Sequence, residues 1–285
     1  MSRSDILRAI ADEVGRGELR FAGNTELALR VRRAIDDPDC HMEAAAKLIQ
    51  AEPVLSAQVV AIANSVAYNP AGREVTELKT AVTRLGFATL RNLVMAFVTR
   101  QMAGPAGSPE QRAVSARLWE HTTHVAALCR VLAKRVTGQN PDAALFVGLV
   151  HEIGGFYLLS RAGEHPEVLP PPPPATADAA PAEDTTGIEG ELGLAVLHKL
   201  NVPESAIQAV ADYNAGFLAM PARSLGDTLL LADYLSPVPS PFLIGAGADR
   251  AQAASVDLVL GEETLAEVLA ESAEEVASIS RALQA

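Results

Sequence analysis

The stretch "LVHEIGGFYLLS", residues 149–160, places a histidine beside a carboxylate inside an apolar run. Its apolar residues have helical spacing, and Gly154 and Gly155 are expected to bend the chain after His151 and Glu152. A His–Glu pair in such a setting is either part of a metal centre or what remains of one. The stretch therefore bears on the fold and on the function together.

Apolar residues recur at helical spacing along nearly the whole chain, and the alternation typical of β-strands is almost absent. Helices are predicted over residues 54–63, 77–85 and 89–102, with the middle one ending near Gly86. A break, "AGPAGSP", follows, and a long helix then runs to a cap at Gly138. We therefore predict an all-α fold.

The remaining helices are shorter. One is predicted to start from an N-cap at Asn24, and Pro141 suits the first turn of another. Further helical segments are "MEAAAKLIQAEP", "GELGLAVLHKL", "ESAIQAVADY" and "RSLGDTLLLADYL". A pair of acidic helices is predicted to start near Ala248.

The Gly/Pro break divides the chain into two predicted units. Residues 1–104 should form a small N-terminal helical bundle, packed on a second helical bundle made by residues 105–285. Within the second unit, the segment from about residue 164 to about residue 186 has many prolines and acids and almost no large apolar residues. Such a segment cannot bury enough surface to offset the entropy of ordering it, so we predict an exposed loop.

Composition excludes several classes of function. Lys and Arg total 23 against 35 Asp and Glu, and the net charge of -12 repels a nucleic-acid backbone. The two cysteines, Cys40 and Cys129, cannot make a disulfide framework or a thiolate metal cage. No apolar run reaches the roughly 20 residues of a membrane span. We expect a soluble cytoplasmic protein that binds neither nucleic acid nor membrane.

Common catalytic motifs do not account for the His–Glu pair. The zinc motif of metalloproteases needs a second histidine four residues after the first, and residue 155 is glycine. The chain also lacks the G-x-x-x-x-G-K-[ST] and G-x-G-x-x-G loops that cradle phosphates. Nucleotide hydrolysis by those routes is excluded.

Several unusual segments occur together in a recognisable order. The first half carries a "DP" turn, then Asn64, Ser65 and Tyr68 in the pattern NS-x-x-Y, then A-[IV]-x-x-LG over residues 81–86. The second half carries "LWEHTTHVA" and "GLVHEIGGFYLL". Over about residues 24–236 the chain resembles the HDOD family, which is related to the HD phosphohydrolases.

The resemblance implies an HD-like second bundle with an incomplete metal site. His121, His151, Glu152 and Asp233 stand at positions that ligate metal in the HD relatives. Those relatives have further histidines where this chain has Gly190, Tyr213 and Asn214, residues that include no replacement for an imidazole. His124, one turn from His121, is a further nitrogen donor. We interpret the site as degenerate and expect no metal, no cofactor and no catalytic residue.

The function implied is that of a non-catalytic bacterial signal-transduction module, which acts by binding other signalling proteins. One alternative is a metal-dependent phosphohydrolase or phosphodiesterase that acts on nucleotides or cyclic dinucleotides. Another is a receptor that binds a small molecule or a nucleotide second messenger in the vacated cleft.

Polar residues of the first half are candidates for contact with a partner. Arg84 and Arg91 are cationic in an acidic protein and could orient an acidic partner, or could pair with local acids. Asn64, Ser65 and Tyr68 could bind a ligand, or could cap a helix and fix the turn that follows it.

Limited proteolysis tests the predicted loop. We expect the first cuts between about residue 164 and about residue 186, because proteases need an extended and accessible backbone. Mass spectrometry of the early fragments identifies the cut sites. Early cleavage inside the helical segments, with this segment intact, would contradict the proposed division of the chain.

Overall fold

The computed structural model describes residues 2–19, 25–105, 107–170, 185–216, 221–242, 259–260 and 263–284. Over these residues the protein is built from helices, which confirms the predicted all-α fold. The strands among them are two short segments, β1 (Val259–Leu260) and β2 (Glu263–Thr264), paired antiparallel.

The described residues up to 105 contain five helices. They are α1 (Arg3–Gly15), α2 (Thr25–Asp36), α3 (Met42–Gln50), α4 (Pro53–Ala63) and α5 (Leu78–Met102). From residue 107 onwards the described helices are α6 (Pro109–Leu132), which continues into a π-helical turn (Ala133–Thr137), α7 (Pro141–Val150), α8 (Ile153–Arg161), a 3-10 helix (Pro166–Val168), α9 (Thr186–Lys199), α10 (Glu204–Ala215), α11 (Leu225–Leu235) and α12 (Leu265–Gln284).

Most predicted helices are present, with two differences. The two helices predicted on either side of Gly86 form the single element α5, which is kinked where Gly86 adopts φ 73° and ψ 169°. Helix α1 is present although it was not predicted; Ser2 caps it, and its buried face includes Leu7 and Ile10. The predicted cap at Gly138 is left-handed, with φ 68°.

Some predictions concern residues outside the described part of the chain. The N-cap at Asn24 and the acidic helix starting near Ala248 are among them, as are residues 171–184 of the predicted loop. Just before those residues, the 3-10 helix packs into the protein with Val168 fully buried.

Helices α6 and α7 pack at unusually close range. A Cβ placed on Gly148 of α7 would lie 2.5 Å from the Cα of Ala126 on α6, so only glycine fits there. The two backbones are therefore in direct contact, and side chains one turn away on either helix are brought close together.

Helices from each side of the predicted boundary between residues 104 and 105 pack on helices from the other side. Helix α1 packs on α9, where Arg3 forms an ion pair of 2.6 Å with the buried Glu189. Helix α12 packs on α6 and α4, and the Gln58 side chain donates a hydrogen bond of 3.1 Å to the Leu283 carbonyl. The boundary itself stays a prediction.

Two helical stretches have the length and apolar composition of a membrane span. These stretches are Leu78–Met102 and Pro141–Arg161, and 61% and 83% of their most apolar windows are buried inside the protein. Core helices commonly have these properties, so the stretches give no clear sign of a membrane protein.

The kink at Gly86 can be tested by substitution. We expect Gly86→Ala to lower the free energy of unfolding by about 1–3 kcal/mol, because this backbone conformation is nearly restricted to glycine. The added methyl group itself meets nothing within 4 Å. Urea denaturation measures the change.

Gly187→Ala provides the matched control. Gly187 also has open space around its added methyl group but does not have a positive φ. This substitution in α9 should leave stability unchanged or raise it by up to about 1 kcal/mol. If the two substitutions changed the free energy of unfolding equally, alanine would adopt the backbone conformation of residue 86 without strain.

Candidate functional site

Four polar side chains meet in the interior of the second half of the chain. His121 comes from α6, His151 and Glu152 from the junction of α7 and α8, and Asp233 from α11. His121 and Glu152 are fully buried, His151 is 1% exposed, and the Asp233 side chain is 12% exposed. We refer to these four side chains as the polar cluster.

The junction that carries two members of the cluster differs from the sequence-based interpretation. The chain bends at His151 and Glu152 themselves, whereas Gly154 and Gly155 lie inside α8. These glycines permit close packing rather than bending. A Cβ on Gly154 would lie 3.0 Å from the Glu189 carbonyl oxygen of α9, so a larger residue would push the two helices apart.

The members of the polar cluster point their functional atoms at one another. The Nε2 atom of His121 lies 3.3 Å from Nε2 of His151, 3.4 Å from Oδ1 of Asp233 and 3.7 Å from Oε1 of Glu152. The two imidazole rings are tilted by 55°, with 5.4 Å between their centroids. The sequence-predicted positions are thus brought into one group.

Backbone carbonyls determine which ring nitrogens carry protons. The Nδ1 atoms of His121 and His151 lie 2.7 Å and 2.8 Å from the carbonyl oxygens of Val238 and Gly148. A nitrogen this close to a carbonyl oxygen must donate, so each Nδ1 is protonated. In the neutral rings both Nε2 atoms are then lone-pair acceptors, and they face each other and two carboxylates.

This donor set fits a divalent cation. Ligand atoms at about 2.1 Å from a tetrahedral metal are about 3.4 Å apart, close to the spacings around His121. Ligand atoms of His121, His151 and Glu152 all lie within 4.8 Å of one another, and Oδ1 of Asp233 lies 3.4 Å from Nε2 of His121. Carbonyl-bound Nδ1 atoms also orient histidines in metal sites. A metal bound by these residues would supply Lewis acidity.

The positions where the resemblance implies further histidines are occupied by other residues. Asn214 donates a hydrogen bond of 3.3 Å to the Gly190 carbonyl, and a Cβ on Gly190 would lie 3.0 Å from Nδ2 of Asn214. The Tyr213 hydroxyl donates to Asp233 at 3.4 Å, and its ring contacts the His151 ring edge-on. These residues close the cluster rather than leave an empty cleft.

His124 does not join the polar cluster. It is half-buried one turn beyond His121, and the groups of potential ligands among the described residues do not include it. Burial, followed by repulsion from His121, lowers the pKa of His124.

The NS-x-x-Y residues have structural contacts. Asn64 accepts a hydrogen bond from the Val75 amide at 2.8 Å and donates one to the Val75 carbonyl, which closes the loop after α4. Ser65 donates to the Ile62 carbonyl at 2.7 Å. Tyr68 donates to Asp142 at 2.8 Å and thereby ties this loop to α7.

The two candidate arginines have different surroundings. Arg84 donates to the backbone carbonyls of Ala63 and Arg73 at 3.0 Å and 3.1 Å, so it holds the same loop. Arg91 is 48% exposed at its side chain and lies 3.4 Å from Asp36 of α2. Arg91 is therefore the one better placed to meet a partner.

Folding creates a groove that the sequence alone did not reveal. It has a volume of about 630 Å³ and lies between α2, α5, α7 and the start of α10. Its lining includes Arg32, Asp36, Arg91, Asn92, Asp142 and Phe146. Arg32 and Arg91 both lie 3.4 Å from the carboxylate of Asp36. These residues come from segments far apart in sequence, and no local pattern identifies them.

Comparison with known proteins identifies one family and several similar folds. A model of the HDOD domain matches residues 24–215, about two thirds of the chain. No curated protein matches.

Solved structures of similar fold come from several bacteria. A Shewanella amazonensis SB2B protein, provisionally described as a metal-dependent phosphohydrolase, is 21% identical with a TM-score of 0.70, covering 99% of this chain and 100% of its own. A Geobacter sulfurreducens HDOD domain protein of unknown function is 18% identical with a TM-score of 0.57, covering 97% and 96%. A Marinobacter aquaeolei VT8 protein, provisionally described as a signal transduction protein, is 19% identical with a TM-score of 0.59, covering 99% and 66%. At these identities the likeness shows the fold alone.

Protonation of His151 offers a test of the site. Burial, followed by repulsion from His121, lowers the pKa of His151 to about 3. Because the unfolded chain protonates this ring near its ordinary pKa of 6.5, folding stability falls as the pH is lowered from about 6.5 towards about 3. In chelator-treated protein, NMR should show no titration of the His151 ring between about pH 7 and about pH 5. A midpoint near its ordinary pKa would contradict the enclosed geometry.

Proposed function

Because the chain belongs to the HDOD domain family, we propose that it is a non-catalytic signal-transduction module that acts by binding a protein partner. The observation that carries this proposal is the enclosure of the polar cluster. Three of its four members are at most 1% exposed, and Tyr213 and Asn214 fill the neighbouring positions. The burial of these ligand atoms by described residues supports a role without access for a phosphoester substrate.

The groove between α2, α5, α7 and α10 is the proposed partner surface. It is concave, and its arginines Arg32 and Arg91 share one carboxylate, Asp36, whereas the other acid of the lining, Asp142, is paired with Arg130. The rest of the protein is strongly acidic, so an acidic segment of a partner would be drawn to this surface rather than to others. We place this module and its signalling partners in the bacterial cytoplasm.

A metal-dependent phosphohydrolase is the second candidate, and the spacing of the polar cluster favours it. Two imidazole acceptors and the Glu152 carboxylate lie within 4.8 Å of one another, a spacing suited to one divalent metal. Metal binding alone would not distinguish the two functions, because an enclosed metal can be purely structural. Turnover is the property that separates them.

A receptor for a nucleotide in the vacated cleft has less support. The space next to Gly190 is occupied by the Asn214 side chain, and a ligand would have to displace it.

Charge reversal at Arg91 tests the proposed partner surface. We expect Arg91→Glu to reduce recovery of the native partner from a host lysate at least tenfold, because the wall then repels an acidic segment. Quantitative pull-down followed by mass spectrometry measures the loss. Arg8→Glu on α1 is the matched control, since Arg8 is exposed and does not line the groove.

Replacement of His151 by alanine distinguishes the two candidates. A folded His151→Ala protein should recover the native partner from the lysate as well as the wild type does. Loss of capture in this variant but not in Arg91→Glu would move the functional site to the polar cluster. Manganese-dependent hydrolysis of a model phosphodiester by the wild type, abolished by His151→Ala, would establish the phosphohydrolase instead.

A further inference from the structure

A second pocket lies on the other side of α6 from the polar cluster. It has a volume of about 510 Å³ and is lined by the end of α5, one face of α6 and the end of α12. The polar residues of its lining are Arg100, Arg112, Ser115, Trp119, Glu120 and Gln284. Trp119 and His121 are two residues apart on α6, which directs their side chains about 200° apart around the helix axis.

Arg100 lines this pocket without an anionic partner among the described residues. Its guanidinium carbon lies 5.3 Å from the centroid of the Trp119 ring, a cation–π contact that covers one ring face. Its Nη1 atom is buried, and no acceptor lies within hydrogen-bonding distance of it. Burial lowers the pKa of Arg100, and no neighbouring acid offsets this effect. A guanidinium remains charged even so.

Trp119 presents a second buried donor in the same pocket. The residue is 6% exposed, and its ring packs edge-on against Phe156 with 6.0 Å between centroids. Its indole Nε1 atom is buried and, like Nη1 of Arg100, has no acceptor. Buried polar groups nearly always have a partner, and exceptions commonly mark the place of a ligand, an ion or a water molecule.

The charge of the lining also favours an anion. Arg100 and Arg112 contribute two guanidinium groups, and neither forms an ion pair with any residue that the structure describes. Glu120 is the one acid in the lining and lies at the exposed face of α6.

We propose that this pocket binds a small organic anion, whose phosphate or carboxylate group accepts hydrogen bonds from the guanidinium group of Arg100 beside the ring of Trp119. Arg112 and the Ser115 hydroxyl lie on the same face of α6, two turns and one turn before Trp119 respectively, and contribute further donors. The volume of the pocket admits a ligand larger than a bare ion. The site goes beyond the proposed function, because it uses neither the groove nor the polar cluster.

The tryptophan itself provides the measurement. Trp119 is the only tryptophan of the chain, so intrinsic fluorescence reports on this pocket alone. The full chain is titrated with inorganic phosphate, glycerol phosphate and succinate at constant ionic strength. We expect a saturable change of fluorescence with at least one of them. A response to the phosphates alone or to succinate alone identifies the anionic group that the pocket prefers.

Arg100→Met is the informative variant, because it removes the charge but retains an unbranched side chain over the indole ring. Calorimetry should give a dissociation constant at least tenfold weaker than that of the wild type. Arg112→Met serves the same purpose if Arg100→Met does not fold, and it should also weaken binding.

Arg117→Met is the matched control on the same helix, since Arg117 is exposed and does not line the pocket. The Arg117→Met protein should bind the anion with the same affinity as the wild type. Two results would overturn the proposal: no saturable response to any of the three anions, or equal affinities for the wild type and the folded variants of both pocket arginines. The first result would assign the orphan donors to water.

Discussion

The contact between the backbones of α6 and α7 at Gly148 is the constraint on which the centre of the protein depends. The same glycine has two roles, because it permits the close approach to Ala126 and its carbonyl oxygen accepts from Nδ1 of His151. The spacing of the two helices and the orientation of the imidazole are therefore set together. A residue with a side chain at position 148 would separate the helices and the two histidines at once.

The polar cluster is a group of hydrogen-bond acceptors that face one another and can share one added cation. Both Nε2 atoms carry lone pairs once Nδ1 of each ring is bound to a carbonyl oxygen, and Glu152 and Asp233 add carboxylate oxygens. The lone pairs and the carboxylate oxygens repel one another, and a metal ion or an additional proton bound between them relieves this repulsion. Tyr213 supplies a hydroxyl donor where the resemblance to HD phosphohydrolases implies an imidazole.

Local sequence patterns predicted the parts of the protein that depend on local physics. Helical spacing predicted α4 and the two arms of α5, and the position of Gly138 predicted the left-handed cap that ends the long helix. The resemblance also gave the four positions of the polar cluster, which the structure brings together. The bend assigned to Gly154 and Gly155 was wrong, because Gly154 packs closely on α9 and Gly155 on Phe242, and no local pattern contains those distances. The groove beside Arg91 and the unpaired Arg100 likewise arise only when distant helices meet.

The hydrogen bond between Gln58 and the Leu283 carbonyl has a consequence for the order in which the chain folds. It joins residues that are 225 positions apart, and it lies where α12 covers α4. Helical proteins usually fold fast because most of their contacts are local, but this contact requires closure of a very long loop. During synthesis, α4 must wait for about 200 further residues, at about 5–20 residues per second, before its cover is made. For about ten seconds or more, α4 therefore packs on α5 without the cover that α12 later provides.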